Sequence, residues 1–109
     1  MEGNLSAADQ QMKLTSAEKS LYRHHLANLN KGGVKNADGS TSTVLAKTVG
    51  FGDKTYVLPT VWDNKIVDLD TAIKNARAKG LDSFPSYGSP EEAKARYMQM
   101  HDFMEGDIR

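Results

Sequence analysis

Cysteine is absent from the 109 residues, and that one absence removes disulfide scaffolds, thiolate zinc sites, iron–sulfur clusters and cysteine nucleophiles together. An excess of either charge is also missing: 14 Lys and Arg balance 14 Asp and Glu, for a formal net charge of zero. Bulk electrostatics therefore favour neither polyanions nor acidic lipids, which argues against nucleic-acid binding by net charge. No apolar run approaches the ~20 residues that a membrane span needs. The start, Met1-Glu2-Gly3-Asn4-Leu5, has no basic segment followed by an apolar one, so export by the general route is not expected. Aromatic residues are few (7%) and the hydrophobic share is 39%, so the core is expected to be thin and single.

What is present reads as a succession of short elements. Residues 1–14 are small and polar and are expected to form a flexible arm, with residues 15–109 as one domain. In Thr15-Ser16-Ala17-Glu18 a hydroxyl precedes a carboxylate by three positions, so each can satisfy an orphan amide at a helix start. Leu21, Tyr22, His25, Leu26 and Leu29 then fall on one stripe of a helix with 3.6 residues per turn. Lys31-Gly32-Gly33 stops it, because glycine accepts the left-handed cap conformation.

Asn36-Ala37-Asp38-Gly39-Ser40 is a turn signal. The β-branched run over residues 41–49 predicts a strand, Gly50-Phe51-Gly52-Asp53 breaks it, and residues 54–58 form its hairpin partner. Pro59 lacks an amide hydrogen and ends that strand or confines it to an edge. Asp63-Asn64 is a turn between Thr60-Val61-Trp62 and a third short strand, Lys65-Ile66-Val67. Asp68 is expected to cap a second helix that presents Leu69, Ala72, Ile73 and Ala76 on one face and ends at Gly80. Phe84-Pro85-Ser86-Tyr87-Gly88 reads as an aromatic loop. Ser89-Pro90-Glu91-Glu92 then gives the strongest local signal in the chain, a hydroxyl cap followed by proline at the first helical position. The helix that follows has Ala93, Tyr97, Met100 and Met104 as its apolar seam. A small antiparallel sheet must be covered by helices, so the predicted class is α+β in the order α-β-β-α-α.

Candidate chemistry is sparse. His24 and His25 are adjacent and point about 100° apart on a helix, a poor chelate, so no metal or other cofactor is expected. His25, on the apolar stripe, and His101, beside the last seam, read first as hydrogen-bonded structural histidines. A hydrolase could draw nucleophiles from Ser42, Ser86 or Thr60 and bases from Asp63, His25 or His101, yet the chain has no Gly-x-Ser-x-Gly, His-Glu-x-x-His or phosphate loop. The Asn36–Ser40 turn echoes a calcium loop but lacks the acid at its twelfth position. Lys74, Arg77 and Lys79, and Lys94 with Arg96, make basic faces balanced by Asp70, Glu91 and Glu92, the pattern of a solvated surface. Pro59-Thr60-Val61-Trp62-Asp63 and Phe84-Pro85-Ser86-Tyr87 set large aromatics beside proline, where they either plug a thin core or anchor a partner.

The ordered set His25…Asn28-Leu29…Gly32-Gly33-Val34…Asn36-Ala37-Asp38-Gly39-Ser40, Pro59-Thr60-Val61-Trp62-Asp63, Phe84-Pro85-Ser86-Tyr87 and Glu92-Ala93…Arg96-Tyr97…Met100-His101 resembles a small module of tailed-bacteriophage proteins. That module occurs as short proteins and inside very large ones, including proteins packaged in virions or delivered into the host. The resemblance spans about residues 20–107 and implies phage origin. It leads to the expectation of a non-enzymatic protein that docks on a phage virion protein or a host protein, in the virion or the host cytoplasm. Trp62, Asp63, Phe84, Tyr87, His25 and His101 are the expected interaction surface, with oligomerisation left open. The alternatives are an inhibitor of a host defence or metabolic enzyme, and a small hydrolase in which His25, Asp63 and His101 converge.

Overall fold

In the computed structural model, which describes residues 5–108, the expected arm is largely a packed helix. Leu5–Met12 form α1, whose Leu5 and Ala8 are buried. Leu5, Ala8 and Met12 lie three and four residues apart, which is one helical stripe, and that stripe packs against the core. The exit is fixed locally: the Leu14 amide donates to the Asp9 carboxylate at 3.0 Å, and Leu14 is buried too. The remainder of the expected arm, residues 1–4, lies outside the described residues.

Thr15 and Glu18 make the reciprocal cap that the sequence predicts, with Glu18 N–H donating to Thr15 Oγ1 at 3.1 Å and Thr15 N–H to Glu18 Oε1 at 2.9 Å. The helix they start, α2 (Ser16–Asn30), closes where Gly33 N–H returns to the Asn28 carbonyl at 2.9 Å. Gly33 has φ +68 and backs directly onto Thr41; a Cβ there would lie 2.5 Å from Thr41 Cγ2. That close approach seats a small ribbon, β1 (Val34–Lys35) antiparallel to β2 (Thr41–Ser42).

The predicted strand over residues 41–49 is two strands. Between β2 and β3 (Lys47–Phe51) the backbone leaves the ladder, because Val44 O accepts from both Thr60 N–H (2.8 Å) and Val61 N–H (3.2 Å). Thr60 Oγ1 also donates to Leu45 O at 2.6 Å, and Leu45 is held at φ +44. The hairpin forms with a shorter break than expected: Gly50 and Phe51 pair within β3, and only Gly52-Asp53 turns the chain into β4 (Lys54–Leu58), with Gly52 at φ +63. Beyond it, β5 (Val61–Trp62) and β6 (Lys65–Ile66) flank Asp63 and Asn64, both at positive φ, as a two-residue type I′ connection requires.

Asp68 caps α3 (Leu69–Lys79) by accepting from Thr71 N–H at 2.8 Å, and Ala72 and Ala76 face inward. A 3-10 turn at Leu81–Ser83 carries the chain back to the sheet. The expected aromatic loop then contributes a strand, β7 (Ser86–Tyr87), giving the antiparallel order β3-β4-β7. The last helix, α4 (Pro90–Ile108), starts with Glu92 N–H bonded to Ser89 Oγ at 3.1 Å. It buries Ala93, Met100 and Met104, while Tyr97 stays half-buried. The fold is α+β, with a first helix and a late strand that the predicted order lacks. One core runs through Leu21, Tyr22, Val57, Leu58, Phe84 and Met100, each worth roughly 1.5–3 kcal/mol when taken from water.

Candidate functional site

The inner face of α2 is unusually polar. Glu18, Tyr22, His25 and Asn28, spaced four, three and three residues apart, are all buried. Buried polar groups are costly without partners, so this stripe dictates what must meet it.

At its first end, Arg96 of α4 grips Glu18 with both arms, Nη2 to Oε1 at 2.6 Å and Nε to Oε2 at 2.9 Å. Tyr87 O–H donates to Glu18 Oε2 at 2.6 Å, and Arg96 Nη1 reaches the Met12 carbonyl at 3.2 Å. Burial opposes ionisation of Glu18, but the hydrogen bonds from Arg96, Tyr87 and Thr15 outweigh it and hold the carboxyl below its ordinary value. Arg96, expected on a solvated basic face, thus ties α1, α2, α4 and β7 together.

At the other end, Asp107 Oδ2 accepts from Tyr22 O–H at 2.6 Å and contacts His25 Nε2 at 3.0 Å. His25 Nδ1 lies 2.6 Å from Thr43 Oγ1. Burial pushes the His25 imidazole below its ordinary value despite the neighbouring Asp107. A neutral ring facing a carboxylate has one consistent assignment: Nε2–H donates to Asp107, and Nδ1 accepts from the Thr43 hydroxyl. Asn28 Nδ2 completes the stripe by donating to Thr43 O at 2.8 Å and Val61 O at 3.0 Å.

Thr43 also lines a cleft of about 300 Å³ between residues 40–46 and the second half of α4, where His101 and Glu105 form the opposite wall. Leu45 and Met98 stand at its lip, 44% and 50% exposed. His101 Nε2 pairs with Glu105 Oε1 at 3.4 Å.

The expected interaction surface is dispersed. His25 and Phe84 are buried and present nothing to a partner, because the thin core uses the Phe84 ring and the α2 stripe uses the imidazole. Tyr87 is half-buried with its hydroxyl on Glu18. Trp62 is half-buried, with its ring 4.7 Å from His24 and 6.1 Å from Phe84 and its indole N–H on the Pro59 carbonyl at 2.9 Å. Asp63 sits on the exposed turn, 3.5 Å from Lys31 Nζ, and His101 lies on the cleft wall. His25, Asp63 and His101 do not form a triad; His25 meets Asp107 and Thr43 instead.

Sequence reasoning missed Thr43, Asp107 and the Glu18–Arg96 pair. Only Glu18 carried a signal, its spacing of four and seven from Tyr22 and His25. Among the described residues no group of three or more His, Cys, Asp or Glu could hold a metal ion, and no helix is long and apolar enough to cross a membrane. No protein family, no curated protein and no solved structure matches the chain.

Proposed function

We propose that this chain is a non-enzymatic protein of a tailed bacteriophage, carried in the virion or delivered into the host, that works by docking on another protein at the Leu45–Met98 lip. The observation that carries the reading is Leu45 itself. A leucine at φ +44 sits in the left-handed region that branched and bulky residues avoid, at a cost of about 1–3 kcal/mol. The surrounding bonds from Thr60 hold it there, with its side chain facing solvent rather than the core. Strain maintained to expose an apolar side chain beside an apolar cleft is the arrangement of a binding anchor. The phage setting is supported by the motif resemblance over residues 20–107.

The test is photo-cross-linking with a benzoyl-phenylalanine in place of Met98, in infected cells and in purified particles. A discrete adduct that disappears in Leu45→Glu supports docking; an adduct indifferent to Leu45→Glu, or none, overturns it. An adduct confined to infected cytoplasm assigns the partner to the host, as an inhibitor of a host enzyme requires.

One observation favours a second reading, acyl hydrolysis: Thr43, His25 and Asp107 form a continuous hydroxyl–imidazole–carboxylate chain, and Thr43 is among the residues that line the cleft. If this reading holds, cleavage of p-nitrophenyl acetate falls at least about a hundredfold in Thr43→Ala. Equal rates in the two proteins remove it.

A further inference from the structure

Among the described residues, the three-stranded sheet ends at β3, which is paired on one side only. The register shows which of its backbone groups face outward. Val57 N–H donates to Pro85 O at 3.0 Å, on the β7 side of β4. In an antiparallel ladder, Thr48, opposite Val57, therefore belongs to the pair without mutual hydrogen bonds. The amides and carbonyls of Lys47, Val49 and Phe51 turn toward β4, and those of Thr48 and Gly50 turn away from the sheet. Thr48 and Gly50 are both exposed, and among the described residues no strand pairs on this side of β3, so this edge is open.

Beside that edge, under the start of α4, lies a cavity of about 360 Å³ floored by Val57, Pro90 and Tyr97. Its walls carry Lys47 and Lys94 and no carboxylate. A strand laid along β3 would send alternate side chains into this gap, because side chains alternate across a sheet with period two. The gap and the Leu45–Met98 cleft share Ala46 and Tyr97, so the two surfaces are continuous.

We propose that β3 accepts, as a fourth strand, an extended acidic segment of the partner protein, with small apolar side chains entering the gap on the Thr48–Val57 face and the alternating carboxylates, on the opposite face, meeting Lys47. This rests on the reading that the chain docks another protein, and it names the chemistry of what docks. Backbone pairing supplies affinity and the alternating pockets supply selectivity, as in other strand additions. Lys47 selects the occupant. A second copy would bring together two edges that each carry Lys47, with no acid on either strand, whereas an acidic segment relieves that charge.

The experiment is amide-resolved NMR titration of the full ¹⁵N-labelled chain with a short peptide alternating valine and glutamate. The proposal expects the largest shifts at Thr48 and Gly50. It expects at least about a tenfold weaker affinity for Lys47→Glu, a loss of about 1.4 kcal/mol. It also expects no binding by the same peptide methylated at alternate amide nitrogens. Equal binding of a valine–lysine peptide, shifts confined to the Leu45–Met98 lip, dimerisation through β3 or absence of binding overturns it. Leu45→Glu separates the two claims: it is expected to abolish the Met98 cross-link while leaving the peptide shifts at β3 intact.

Discussion

The two ends of the α2 stripe solve one problem in opposite ways. At Glu18 a fully buried charge is matched by a bidentate guanidinium, a phenol and a backbone amide, so every oxygen is accounted for and no route leads onward. At His25 the buried group is neutral, and its chain of hydrogen bonds runs out through Thr43 to a cleft with apolar lips. The first end fixes where the elements sit. The second end fixes residues 43–46, the segment that presents Leu45. A buried polar network is thus either a closed clasp or the back wall of a surface, depending on where its last partner lies.

Removing a partner from the closed end has the largest expected effect. Arg96→Ala leaves Glu18 buried without its counter-charge and should cost about 2–4 kcal/mol in urea denaturation, somewhat less than a fully buried pair because Arg96 is partly exposed. Glu18→Leu/Arg96→Met should recover much of that loss, since apolar replacement of both partners leaves no stranded charge. If Arg96→Ala is as stable as the parent, the clasp is not what holds α1, α2, α4 and β7 together.

Acid titration should separate the two ends next. His25 and the adjacent His24 have folded-state values below the ordinary 6.5, so the unfolded chain binds protons first. Their contribution is complete above pH 6.5 and declines as pH falls below it. The Glu18 carboxyl lies below its ordinary 4.5, so its contribution persists to that pH and is lost only on further acidification. Stability is therefore expected to fall in two stages, and His25→Gln should shrink the first to the share of His24 while leaving the second. A single loss confined below pH 4.5 would mean that the His25 end does not couple to folding.

How much of this was legible in the sequence follows from the range of each interaction. The caps at Thr15, Asp68 and Ser89 and the turn at Asp63-Asn64 are made by neighbours three residues apart or fewer, and all four stand as read. The helix over residues 5–12 is not legible because its stripe has only Leu5, Ala8 and Met12, and its burial depends on α2 and α4, which lie elsewhere in the chain. The break at residues 43–46 depends on Thr60 and Val61, which strand propensity does not encode. His25 was visible on its stripe, yet Asp107 lies 82 residues away, and nothing local marks an aspartate near a helix end as its acceptor. Tyr87 reads as an anchor because its loop is aromatic, yet its hydroxyl is held by Glu18, which by sequence is complete as a cap.

The smallest expected change in stability gives the most direct test of the central claim, that Leu45 is held in an unfavourable backbone conformation to serve a surface. Asparagine tolerates the left-handed region, so Leu45→Asn should match the parent in denaturation midpoint or exceed it by up to about 1 kcal/mol. The same variant should lower the Met98 cross-link yield by at least about tenfold, a loss of about 1.4 kcal/mol in affinity. A variant less stable by more than about 1 kcal/mol that still cross-links at the parental level would show that Leu45 serves the core and not a partner.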